Sequence, residues 1–118
     1  MSMLVRFTQI DYSREMALIA VTEIEGREVE LGVARFAINP DGESCEFALV
    51  IADSMHGKGL GQRLMTTLMD AARAQGLKII EGEVLKKNTD MLHLMERMGF
   101  DVETSLDDDS VKNVRRML

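Results

Sequence analysis

Between positions 45 and 85 an apolar run, a glycine-rich corner, a helix-like segment and a second apolar run follow one another without interruption. Nothing else in the chain restricts the fold as much. Two strands joined through a helix return to one sheet as a crossover, which sets them parallel. The first run, CEFALVIA at 45–52, is apolar except for Glu46 and carries β-branched Val50 and Ile51. It reads as a strand covered on both faces. His56-Gly57-Lys58-Gly59-Leu60-Gly61 then turns the chain. Leu60, Leu64, Leu68 and Ala72 recur at helical spacing, predicting a helix over 59–75 with Gly76 as its cap. The second run, KIIEGEVL at 78–85, is the returning strand.

The corner is chemically specific. The first amides of a helix lack intrahelical acceptors, and the macrodipole places partial positive charge there. Glycines at 57, 59 and 61 leave the backbone open to a bulky anion such as a phosphate, and Lys58 and His56 add donors. The plainer alternative is a helix entry that needs glycine only for its turn. A Walker-type nucleotide loop does not fit, because no GK[ST] follows the glycines.

Around this unit the chain reads as a meander. Residues 4–10 are short and mixed, either the tail of a helix or a frayed strand. Residues 16–24 form a strand, Glu25-Gly26-Arg27 a hairpin turn, and 29–38 the next strand. In that strand the apolar phase passes from Val29, Leu31 and Val33 to Phe36 and Ile38, which predicts a bulge. Asn39-Pro40-Asp41-Gly42 turns into the 45–52 strand. After residue 85 a second helix over 88–98 is entered through Asn88 or Thr89 and closed by Gly99. Strands at 100–105 and 111–118 flank Asp107-Asp108-Asp109, a solvated turn rather than a calcium loop. The expected architecture is mixed α/β, a mostly antiparallel sheet with one parallel crossover.

The 118 residues suffice for one core, so 1–118 is read as a single domain. A net charge of −6 argues against a general nucleic-acid binder and is compatible with a basic acceptor. There is no apolar run of membrane-spanning length, no signal-peptide pattern and only one cysteine, Cys45. These features fit a reducing, cytoplasmic setting and leave no cysteine-based metal cluster. Ten methionines against one tyrosine is unusual. Met65, Met69, Met91, Met95 and Met98 fill core gaps or, in the sharper alternative, line a pliable acyl tunnel.

The corner at 53–61, with Asn88 set before Met98-Gly99-Phe100, resembles the GNAT superfamily of acyl-CoA-dependent N-acyltransferases. Gly59 and Gly61 match the two glycines of its [QR]-x-x-G-x-[GA] corner, with His56 where glutamine or arginine is usual. RFTQIDYSREMALIAV, EFALVIADSMHGKGLG and VLKKNTDMLHLMERMGF look most like the bacterial Pat-type protein lysine acetyltransferases. The resemblance implies a GNAT-like mixed sheet with helices on both faces and acetyl-CoA as acyl donor. It implies an acceptor protein with a reactive lysine, a candidate being an acyl-CoA synthetase. Two departures stand out. The helices that usually precede the MALIAV strand are shortened or missing, so the chain could be excised from a longer one. Met95 occupies the place of the tyrosine that many members use to protonate the leaving thiolate.

On this reading Glu46 is the general base. A lysine amine, with a pKa of about 10.4, must lose a proton to attack. A carboxylate in an apolar strand is either desolvated or opens on a wet cleft, and a glutamate facing water at a strand edge is the plain alternative. The resemblance further implies that backbone N–H groups along Leu49, Val50 and Ile51 polarise the thioester carbonyl. His56, Gly57, Lys58, Gly59, Leu60 and Gly61 would hold the pyrophosphate; Asn88 and Met91 would contact the pantetheine, though Asn88 is equally explained as a helix cap. Cys45 could accept the acyl group covalently, but neighbours in a strand point to opposite faces, so an inert buried thiol is the better reading. His93 reads as filler on the second helix. Two rivals are an acyl-CoA-binding regulatory module without turnover and an N-acetyltransferase of small amines such as polyamines.

Overall fold

In the computed structural model, which describes residues 4–118, the crossover forms as the pattern requires. Strand β4 (Ser44–Ile51) leads through a single 3-10 turn into α1 (Leu60–Ala74) and returns as β5 (Ile79–Leu85), parallel to β4. Before it come β1 (Arg6–Asp11), β2 (Glu15–Ile24) and β3 (Arg27–Ile38); after it come α2 (Thr89–Arg97), β6 (Asp101–Thr104) and β7 (Val111–Met117). The seven strands form one sheet in the order β1-β2-β3-β4-β5-β7-β6. Apart from β4 with β5, every pairing is antiparallel.

The ambiguous 4–10 stretch resolves as a strand because β2 offers it a partner: Arg6 to Asp11 pair with Val21 to Met16. The phase change in the third strand is a bulge. Ala20 pairs with Gly32 and Val21 with Glu30, which leaves Leu31 as the extra residue. The bulge also serves β4, since the Leu31 carbonyl accepts from Ala52 N at 2.9 Å. At the end of α1, Gly76 N donates to Arg73 and Leu77 N to Ala72, closing the helix where the sequence placed its cap.

The core lies between one face of the sheet and the two helices. Met16, Leu18, Ala20, Ala34, Phe36, Cys45, Phe47 and Ile80 meet Leu64, Met65, Leu68 and Met69 of α1 there. Both helices share this face: Gly61 of α1 abuts Leu94 of α2, and Arg116, opposite Ile80 on β7, reaches Met69 of α1. The expected helical layer on the second face is not formed by the described residues. β4 is therefore not covered on both faces as its composition suggested. It alternates, with Cys45 and Phe47 buried and Glu46, Ala48 and Val50 exposed, Val50 to 68%. Ala48 and Val50 made the run look two-sided although they face outward. Met65, Met69 and Met95 are core residues, while Met91 and Met98 are half-buried.

Candidate active site

β4 pairs with β3 along seven residues, from Gly32↔Ile51 to Ile38↔Cys45. With β5 it pairs only at Ser44↔Ile79, Cys45↔Ile80 and Glu46↔Glu81. Beyond Glu46 the parallel strands part, and the stretch Leu49–Ile51 faces a cavity of about 690 Å³.

Three elements wall that cavity. β4 supplies Leu49, Val50 and Ile51. The corner supplies His56, Gly57, Gly59, Leu60 and Gly61, and α2 supplies Asn88 and Met91. The corner is shaped by backbone conformation. Gly59 is the N-cap of α1 at φ 79°, a left-handed value that costs a residue with Cβ about 1–2 kcal/mol. At Gly61 the constraint is space, since a Cβ would lie 3.0 Å from Leu94 Cδ2. Glycine there lets α2 approach α1 and bring its own residues to the cavity. Gly59 makes no side-chain cap, so the first amides of α1 stay available to an anion.

His56 lines the cavity with its ring tied back: Nε2 lies 3.2 Å from the Ile51 carbonyl and 3.9 Å from Asp53 Oδ1. That contact holds the corner against the end of β4. Asn88 does cap α2, its Oδ1 accepting from Met91 N at 3.3 Å, and it lines the cavity as well. Both readings of this residue therefore describe the same position.

Two sequence-predicted residues lie elsewhere. Lys58 points into a neighbouring depression with Phe7, Gln62 and Arg63, where the Arg63 guanidinium sits 5.0 Å above the Phe7 ring. Glu46 is not part of the cavity wall. It stands at the foot of the splay on the exposed face, three positions before Leu49, so of the two settings open to it the structure gives the wet one. Cys45 faces the core beside it, fully buried, and burial followed by the Glu81 charge pushes its thiol up to about 11. Such a thiol stays protonated near neutrality and does not suit a nucleophile. Met95, also fully buried, packs in the core and does not line the cavity.

The structure adds residues that the sequence did not single out. Gln62 on α1, and Asp90, Leu94 and Arg97 on α2, line the cavity, and so does His93, which the sequence presents as filler on that helix. Arg97 offers a cation there, while Asp53 and Asp90 contribute opposing charge. The spacing 90, 93, 94, 97 is a helical stripe continuous with Asn88 and Met91, a signal present in the sequence. What it lacked was the knowledge that α2 turns this stripe toward α1. In the acidic loop, Asp108 Oδ1 accepts from Ser110 N and Oγ, and among the described residues no group of side chains suits a metal ion. Among them, too, no helix is long and apolar enough to cross a membrane.

Comparison with known proteins bears on this arrangement. The sequence model of the acetyltransferase (GNAT) family matches residues 3–100. An acetyltransferase of Pseudomonas aeruginosa is 33% identical over 116 residues, which make up 98% of this chain and 62% of that protein. The chain thus spans about three fifths of that relative's length. Among solved structures, the GNAT domain of S. lividans PAT superposes with a TM-score of 0.77 at 24% identity, over 95% of this chain and 65% of that one. The Campylobacter jejuni N-acetyltransferase PseH, in complex with acetyl coenzyme A, gives a TM-score of 0.67 at 21% identity, over 90% of this chain and 70% of that one. Identities this low establish the shared fold.

Proposed function

The chain belongs to the acetyltransferase (GNAT) family, and from that premise we propose that it transfers an acetyl group from acetyl-CoA to an amine. The observation that carries this reading is the continuity of one cavity from the first turn of α1 to the unpaired stretch of β4. Its two ends suit the two ends of a pantetheine-linked thioester. The amides of Gly59 to Gly61 offer donors and partial positive charge to the pyrophosphate, and Arg97 adds a full charge on the opposite wall. Leu49, Met91 and Leu94 give the arm an apolar lining.

The amine nitrogen attacks the thioester carbonyl carbon, the C–S bond breaks, and the amide and the thiolate of CoA are the products. Free N–H groups of the parted β4 edge would meet the developing oxyanion, each contributing about 3 kcal/mol when pre-aimed. Glu46 takes the proton from the amine. With Met95 buried in the core, the thiolate collects its proton from solvent.

A lysine side chain of a protein is the favoured acceptor, with an acyl-CoA synthetase as the candidate partner. Support comes from the setting of Glu46: the described residues leave its face of β4 exposed, so a side chain presented from a protein surface can reach the foot of the splay. The same openness admits a small amine. Incubation with acetyl-CoA and a candidate synthetase, followed by mass spectrometry, is the test; acetylated lysine is the expected result. Binding of CoA without acetylation of any protein or small amine would leave a regulatory acyl-CoA-binding module, the reading that the buried Met95 favours.

A further inference from the structure

Glu46 does not stand alone at the foot of the splay. Its register partner on β5 is Glu81, and this is the last pair before the strands part. Residues directly paired on parallel strands share a face, so the two carboxylates leave the open face side by side on backbones about 4.8 Å apart. Like charges placed opposite one another destabilise a sheet. The chain nevertheless fixes one of them. Asn39 Nδ2 donates to Glu81 Oε1 at 3.1 Å and to Ser44 Oγ at 2.8 Å, and Ser44 Oγ donates to Asp41 Oδ2 at 2.8 Å. Asp41 is held in turn by the amides of Glu43 and Ser44, which keep its carboxyl below the usual range. Glu81 is half-buried and oriented, whereas Glu46 is exposed. Among the described residues neither glutamate is within ion-pair distance of a cation. The charged groups sharing their face on adjacent positions are Glu83 of β5, Arg115 of β7 opposite Glu81, and Arg35 of β3 opposite Ala48.

We propose that Glu81 is an acceptor-binding residue, which captures the ammonium form of the incoming amine and selects acceptors that arrive charged, with Asn39 as its positioning residue. The inference deepens the transfer reading above and rests on it. What points to a ligand here is the place of the pair: it closes the ladder whose opening creates the cavity wall at Leu49–Ile51. An amine entering from the open face meets Glu81 and Glu46 before it meets the thioester carbon. One ammonium proton passes to the Glu46 carboxylate, the freed lone pair forms the C–N bond, the thiolate leaves as the C–S bond breaks, and the nitrogen gives its second proton to solvent as the amide forms. Glu81 takes no proton in this step. Since it stabilises the ammonium and not the attacking amine, its contribution is to capture rather than to the chemical step.

The test is steady-state CoA release at saturating acetyl-CoA with three acceptors: an N-blocked lysine peptide, spermidine and a neutral arylamine. Glu81→Gln is expected to raise KM for the two cationic acceptors about tenfold while kcat holds or rises, and to leave the arylamine unaffected. Asn39→Ala gives a smaller rise of the same sign, and Glu81→Asp recovers part of the loss. The peptide and spermidine arms distinguish a protein acceptor from a free polyamine. Equal KM changes for charged and neutral acceptors, or none, would overturn the proposal. Should the wild type bind CoA yet acetylate none of the three, the transfer reading fails separately. Calorimetric titration of spermidine into the CoA-loaded protein then decides for Glu81: at least tenfold weaker binding by Glu81→Gln upholds it, and equal binding sinks it.

Discussion

The two edges of β4 are built from the same eight residues and treated in opposite ways. Toward β3 the strand is zipped over seven register pairs, and a bulge carbonyl at Leu31 extends the contact to Ala52. Toward β5 it is zipped over three pairs and then released. The closed edge sets the strand's position and the open edge leaves its backbone free, so a pre-aimed row of amides needs no mobile loop to carry it. On the proposed reading, stability and chemistry are separated across a single strand, and substitutions on either side can test that separation.

The largest effect belongs to the closed edge. Phe36 pairs with Phe47 across it and is 1% exposed. Phe36→Ala removes a buried ring and leaves a cavity under α1, a loss of about 3–5 kcal/mol. Chemical denaturation should show the whole loss, and CoA binding should disappear with the fold. On the open edge, Glu46→Gln is expected to lower turnover by about a hundredfold or more, within the range of a general base. Its denaturation midpoint and CoA affinity should stay near those of the parent, because the side chain is exposed and outside the cavity. If Glu46→Gln instead destabilised the protein as Phe36→Ala does, the division between the edges would be wrong.

A smaller effect is expected where the open edge meets α1. Gly59→Ala forces Cβ onto a φ of 79°, at a cost of about 1–2 kcal/mol, or tilts the first amides of α1 out of line. Isothermal titration should show weaker CoA binding, and acceptor KM should not move. A change confined to the acceptor would place the carrier elsewhere.

Most of the scaffold was legible in the chain. The Gly57–Gly61 corner, the helical recurrence of Leu60, Leu64 and Leu68 and the phase change after Val33 each reflect local chemistry, which a sequence displays directly. Three things were not. Ala48 and Val50 read as core because they are apolar, and only the arrangement of α1 and α2 on one face shows that they point outward. Arg97 and His93 reach the cavity because Gly61 admits Leu94, a contact between residues thirty-three positions apart in sequence. Glu81 was hidden for a third reason: register between β4 and β5 is settled by the crossover, and no local pattern announces which residue of 78–85 faces Glu46.

The smallest effect is expected at Cys45, where both edges of β4 are still closed and the side chain faces the core. Its thiol is pushed up to about 11 from 9.0, chiefly by burial, with the Glu81 charge adding to it. The raised value belongs to the folded state, so the folded protein holds this proton where the unfolded chain gives it up. Stability from this source is therefore fully present below pH 9 and is lost as pH rises toward 11. Cys45→Ala should flatten that part of the stability profile and leave turnover near pH 8 within about twofold, as expected for a group outside the reaction. Alkylation with iodoacetamide at pH 8 should be slow in the native protein and fast once denaturant exposes the thiol. Rapid labelling of the folded chain, with loss of acetyl transfer, would move Cys45 from the packed side of β4 to its reactive side and restore the covalent route.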